Sequence, residues 1–126
     1  PDYSEDASML LSTTLSEALT VVITEPKEGF SLRQYDQLRL KMMHETYTDV
    51  KVLATGDTTI NGMPTLWTEA YFRSDDVNYR ARYHCIEGAD SLHYVIGFTA
   101  TDDWARYGGD IQVILNSFGE KPSNSH

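Results

Sequence analysis

The sequence predicts an α+β domain, an antiparallel β-sheet meander packed between helices as an α/β/α sandwich. Three observations carry that expectation. Val77 to Cys85 alternates apolar and polar residues without a break, the period-two mark of a half-buried strand. The stretches on either side, from Leu66 to Phe72 and from Leu92 to Phe98, alternate too and join it through short polar turns. Two segments with helical spacing lie outside this run, one after Ser31 and one after Thr101. Hairpin-linked strands with flanking helices make an antiparallel layer, whereas a parallel sheet would place a helix between successive strands.

Taken in order, residues 7–14 and 18–24 read as two strands with Leu15, Ser16 and Glu17 between them. The second is rich in β-branched side chains. Pro26 and Gly29 are expected to break it. Ser31 and Gln34 form a capping box, and Phe30 with Tyr35 forms the matching hydrophobic staple of the first helix. Its predicted buried stripe is Leu32, Tyr35, Leu38 and Met42. Residues 50–55 read as a strand, Gly56-Asp57 as a turn, and residues 58–62 as a second strand running into the hairpin signal Asn61-Gly62.

Turn lengths fix the register of the three central strands. With Asp75-Asp76 as the first loop, Leu66 stands opposite Cys85 and Phe72 opposite Tyr79. With residues 87–90 as the second, Tyr79 stands opposite Phe98 and Cys85 opposite Leu92. One face then carries the rows Phe72/Tyr79/Phe98, Ala70/Ala81/Ile96, Thr68/Tyr83/Tyr94 and Leu66/Cys85/Leu92, and reads as a core. The reverse face carries Trp67/His84/His93, Glu69/Arg82/Val95 and Tyr71/Arg80/Gly97. It offers a Glu69–Arg82 ion pair, a Tyr71–Arg80 cation–π contact and two facing histidines. Thr101, Asp102 and Asp103 are expected to cap the last helix. Its stripe is Trp104, Tyr107, Ile111, Ile114, Leu115 and Phe118, and Gly108-Gly109 predicts a kink or a close approach to the sheet.

The totals narrow the function. The chain has 126 residues and a formal net charge of −9. It reads as a single domain over residues 1–126, with 1–6 and 119–126 as flexible ends. That charge argues against nucleic acid as a partner and against adsorption on anionic lipid. One cysteine excludes an internal disulfide, and Cys85 falls on the core face as a packed thiol. No apolar run approaches the ~20 residues of a membrane span, so direct insertion is not expected. A start at Pro1, followed by acidic residues, reads as a chain that has lost an N-terminal portion, to which an export signal or lipid anchor would belong.

With these elements placed, the chain resembles the PsbP/DcrB-like family, whose fold is shared by the Ran-binding nuclear import factor. The likeness is carried by Thr20 to Lys27 with Ser31 to Tyr35 and by Ile60-Asn-Gly-Met-Pro64. It continues through the strand bearing Arg80 and Tyr83, Tyr94 to Ala100, and Ile114 to Phe118. The further strand and Pro-x-x-Trp-like opening usual in the family are missing. The resemblance implies a sheet between helices and a protein that binds partners without catalysis. It also implies a location outside the cytoplasm, since bacterial members are often exported lipoproteins and photosynthetic ones dock on photosystem II. The family shares no catalytic motif, so no catalytic residue is carried over.

The candidate sites divide unevenly. His84 and His93 beside Trp67 suggest a metal or pH-responsive contact, but zinc wants at least three protein ligands, and solvated or helix-covered histidines fit the pair better. Arg73, Arg80 and Arg82 form a basic row of the kind found at interfaces, with cross-strand pairing as the structural alternative. Asp75-Asp76 and Asp102-Asp103 already have turn and cap roles, and no calcium-loop spacing accompanies them. Phosphate-binding glycine loops and a nucleophile elbow are absent from the sequence. The expected function is therefore a non-enzymatic protein-binding module. Its contact set is Trp67, Tyr71, Arg80, Arg82, His84 and His93, with no cofactor, no metal and no catalytic residue. The alternatives are a small-molecule or metal-binding protein or enzyme with a pocket between sheet and helix, and a carrier of apolar segments. The last requires the aromatic face to be partly uncovered.

Overall fold

Turn chemistry sets the sheet. In the computed structural model, which describes residues 7–12 and 18–119, Asn61-Gly62 joins β3 (Thr48–Ile60) to β4 (Met63–Ser74) as a two-residue loop with both residues at positive φ. Asp75-Asp76, also at positive φ, joins β4 to β5 (Val77–Glu87) in the same way. This is the backbone that matches the right-handed twist of hairpin strands. The register predicted across that turn holds along the whole pair, from Thr65 opposite Ile86 to Ser74 opposite Val77.

The next turn differs from expectation. Residues 88–91 form it, closed by the Gly88 N–H donating to the Ser91 carbonyl at 2.9 Å. The loop thus begins one residue later than predicted, and β6 (Ser91–Ala100) slides by two residues along β5, with Cys85 opposite Tyr94 and Tyr79 opposite Ala100. A slip of two keeps every side chain on its expected face. Phe98 still reaches Tyr79 diagonally, ring centroids 5.8 Å apart. The chain also carries β1 (Ala7–Ser12) and β2 (Ala18–Pro26), and β2 pairs with β6, giving the order β1-β2-β6-β5-β4-β3, antiparallel throughout. The strand β2 runs to Pro26 itself rather than breaking before it. The predicted end of the first strand, the following turn and the two expected flexible ends lie largely outside the described residues.

β3 is one strand, not two. Gly56 sits inside it opposite Trp67, and a Cβ there would come within 2.6 Å of the indole, so this glycine makes room for a ring rather than a turn. The register of β3 against β4 slips between Thr48 and Lys51 and again between Val52 and Ala54.

The helix α1 (Leu32–Thr46) begins with the predicted capping box, Ser31 Oγ accepting from Gln34 N–H and Gln34 Oε1 from Ser31 N–H. It lies over β3, β4 and β5. Its buried positions are Tyr35, Arg39 and Met43, with Leu38 and Met42 half-buried. The stripe is rotated from the one expected because Arg39 is drawn in by Glu25. Below α1 lies the predicted core of Phe72, Ala81, Tyr83, Cys85 and Ile96.

On the other face, α2 (Trp104–Asn116) lies mainly over β6, with contacts to β5 and β2. Tyr107, Ile111 and Leu115 meet Val22, Ile86 and Val95 in a second core. The close helix–sheet approach occurs at the strand glycine Gly97, whose missing side chain is replaced by Ile111. Gly108 instead accommodates Trp104 of its own helix, and α2 runs on unbroken through both glycines. The predicted acidic cap is not made. Residues Thr101–Asp103 form a 3-10 turn, and Asp103 at the cap position has φ −99° and ψ −2°, outside the extended geometry a capping side chain needs.

Candidate functional site

Period two along β4 and β5 puts Trp67, Glu69, Tyr71, Arg80, Arg82 and His84 on one face, and the structure brings them together. Glu69 accepts from Arg80 Nη2 at 3.0 Å and from Arg82 Nη1 at 2.9 Å. Arg82 also lies over the Trp67 ring, 4.3 Å from its centroid, and its Nε donates to His84 Nε2 at 3.0 Å. Arg80 sits between Tyr71 and Trp104, at 5.8 Å and 4.8 Å. One carboxylate thus holds two stacked guanidinium groups in place. Burial pushes the Glu69 carboxyl up, but the hydrogen bonds from Arg80 and Arg82 and their charge outweigh it and hold it below the usual range. Burial, with the Arg82 charge second, lowers His84 to about 4, so this imidazole is neutral near pH 7.

As a contact surface, however, half of the expected set is shut. His84 is 0% exposed, His93 5% and Arg82 9%. The physical reason is that α2 covers β6 and its neighbours on this side. The two histidines do not face each other either: the slide of β6 sets His84 opposite Val95 and His93 opposite Ile86. His93 has its own partners, Thr24 Oγ1 at 2.9 Å from Nδ1 and the Phe118 ring at 4.7 Å. Trp67, Tyr71 and Arg80 remain half-exposed at the margin. Arg73 pairs with Asn78 and Asp76 near the β4–β5 turn. Among the described residues no group of three or more His, Cys, Asp or Glu side chains could hold a metal ion. Cys85 is a free, fully buried thiol, which burial and the nearby Asp36 push well above its ordinary pKa.

One opening lies on the opposite face. Because α1 sits over β3 to β5, the sheet beside it is left as a groove between the last turns of α1 and the strands β2 and β6. The groove holds about 280 Å³ and is walled by Val21, Ile23, Met42, Met43, Ile96 and Phe98. Tyr47 and Tyr94 extend it, and Arg39 reaches it from α1. Arg39 pairs with Glu25, which also accepts from the Tyr35 hydroxyl at 2.9 Å. The sequence reading placed Ile96 and Phe98 on the core face, gave Val21 and Ile23 no face within their β-branched strand, and overlooked Arg39. The available signal was its position four residues after Tyr35 and four before Met43, on the buried side of the helix.

Three solved structures have the same architecture. A Pseudomonas aeruginosa protein of unknown function, described as a putative regulator, aligns with a TM-score of 0.77 at 16% identity, over 98% of this chain and 90% of its own. The cyanobacterial PsbP (CyanoP) of Synechocystis sp. PCC 6803 aligns with a TM-score of 0.65 at 12% identity, over 92% and 75%. The fold is PsbP-like. LpqN of Mycobacterium tuberculosis, described as involved in cell envelope biogenesis, is similar at a TM-score of 0.60 and 8% identity, over 80% and 61%. No protein-family model matches the chain, and no curated protein matches it in sequence. None of the three descriptions names an enzyme. Among the described residues, the groove beside α1 has a mainly apolar lining. Among the described residues no helix is long and apolar enough to cross a membrane.

Proposed function

We propose that this chain is a non-enzymatic protein-binding module that holds an apolar segment of a partner protein in the groove beside α1. The observation that carries the reading is a concave, mainly apolar groove, with Val21, Ile23, Met42 and Phe98 half-buried along it. Methionine side chains are flexible and polarizable, and they suit surfaces that accept varied apolar partners. The half-exposed Trp67, Tyr71 and Arg80 at the opposite margin are a secondary contact in this proposal. A location outside the cytoplasm belongs to the same reading. Its support is the fold shared with LpqN and the sequence resemblance.

The test is site-directed photo-crosslinking in extract of the native source. A crosslinking side chain at Val21 should trap a discrete partner through an apolar peptide, and one at exposed Val113 on α2 should not. Equal labelling from both positions would sink the groove as a docking site.

A further inference from the structure

We propose that Arg39 makes the groove selective for an apolar segment carrying one neutral hydrogen-bond acceptor, a glutamine or asparagine side chain, opposite its Nη1. This rests on the docking reading above and adds the chemistry of the bound segment.

Arg39 is 9% exposed, and a buried guanidinium brings five N–H donors that need acceptors. Its contacts are uneven. Nη2 is taken by Glu25, and Nε donates to the Tyr35 hydroxyl at 3.4 Å. Nη1 meets the Met42 sulfur at 4.0 Å, and a thioether is a weak acceptor. Met42 and Arg39 both line the groove, and the contact of Nη1 with the Met42 sulfur is the ground for setting that edge of the cation at its wall. The plane of the group is fixed in advance, stacked on Tyr94 at 4.4 Å and on Tyr35 at 5.4 Å from the ring centroids. A donor held in position loses little freedom when an acceptor arrives.

Charge decides which acceptor fits. Glu25 already balances Arg39, so a carboxylate brought into the groove would be a desolvated anion without a counter-charge. The formal net charge of −9 disfavours it further. An amide carbonyl takes the spare donor without adding charge, and apolar neighbours on either side of it fill the strip formed by Val21, Ile23 and Phe98.

The experiment measures binding of three labelled leucine/alanine helical peptides, identical except for a central glutamine, leucine or glutamate, to the intact chain by fluorescence anisotropy. The glutamine peptide should bind about tenfold more tightly than the leucine one, with the glutamate peptide weakest. Arg39→Met should bring the glutamine peptide down to the leucine level, so that the ratio of the two affinities falls to about one. Since Arg39→Met strips Glu25 of its partner, the pair Arg39→Met/Glu25→Gln is measured beside it, with thermal melts of both. Equal affinity for glutamine and leucine, or tightest binding of glutamate, overturns the proposal while leucine-peptide binding that is lost in Val21→Glu keeps the groove reading intact. Failure of all three peptides to bind removes both.

Discussion

Acid should weaken this fold before its carboxylates are protonated, because of His84. The imidazole titrates near 6.5 in an unfolded chain and at about 4 in the fold, where burial and then the Arg82 charge oppose protonation. Between those values the unfolded state binds more protons than the folded one. Stability is therefore full above pH 6.5 and falls as the pH drops toward 4. At pH 5 the loss relative to pH 7.5 is about 2 kcal/mol from this residue alone. Full burial of the ring leaves no solvent screening to discount. Asp36, whose carboxyl burial raises, contributes stability that grows as the pH falls, and so opposes the His84 effect. Urea unfolding at pH 5, 6 and 7.5 should show the midpoint rising with pH. His84→Gln, which keeps an acceptor for Arg82, should flatten that rise. Parallel slopes for the two proteins, or an imidazole proton resonance of His84 that titrates near 6.5, would refute the argument.

Four other outcomes follow from contacts already described. Glu69→Gln should cost about 2 kcal/mol in urea unfolding, because two charge-assisted bonds go and two guanidinium groups are left facing each other. Arg80→Gln should cost under about 1 kcal/mol, since that side chain is 28% exposed. Gly97→Ala should cost about 1–3 kcal/mol by pressing on Ile111. Combined with Ile111→Ala it should cost clearly less than the two changes added, and strict additivity in a double-mutant cycle would disprove the contact. Ser31→Ala should lower stability by about 1 kcal/mol through loss of the cap, seen as a shift in thermal midpoint without a change in the folded spectrum.

What the sequence disclosed depended on how local the cause was. The Ser31 box, the Asn61-Gly62 and Asp75-Asp76 turns and the Tyr83 and Arg82 faces were readable because each rests on neighbours in sequence or on strict alternation. The Gly88–Ser91 turn was misplaced by one residue, since several polar positions there could open the loop, and the His84–His93 juxtaposition went with it. Gly56 looked like a turn because the ring it accommodates, Trp67, lies on another strand. The candidate face was judged open because nothing in α2 alone says which half of the sheet it will cover. The rotation of α1 escaped for the same reason: Arg39 becomes a buried residue through Glu25, which sits on β2.

The irregular edge of the sheet has its own consequence. In β3 the two slips fall in the first half and leave residues 54–60 straight, with Asp57 near their middle. A second molecule aligned antiparallel on that straight portion would bring Asp57 against Asp57, and moving the match toward Ala54 meets the kinked backbone. Lys51 and Asp49 guard the remainder. Growth of fibres by strand addition is thus discouraged at this border, where charge and irregular backbone act together.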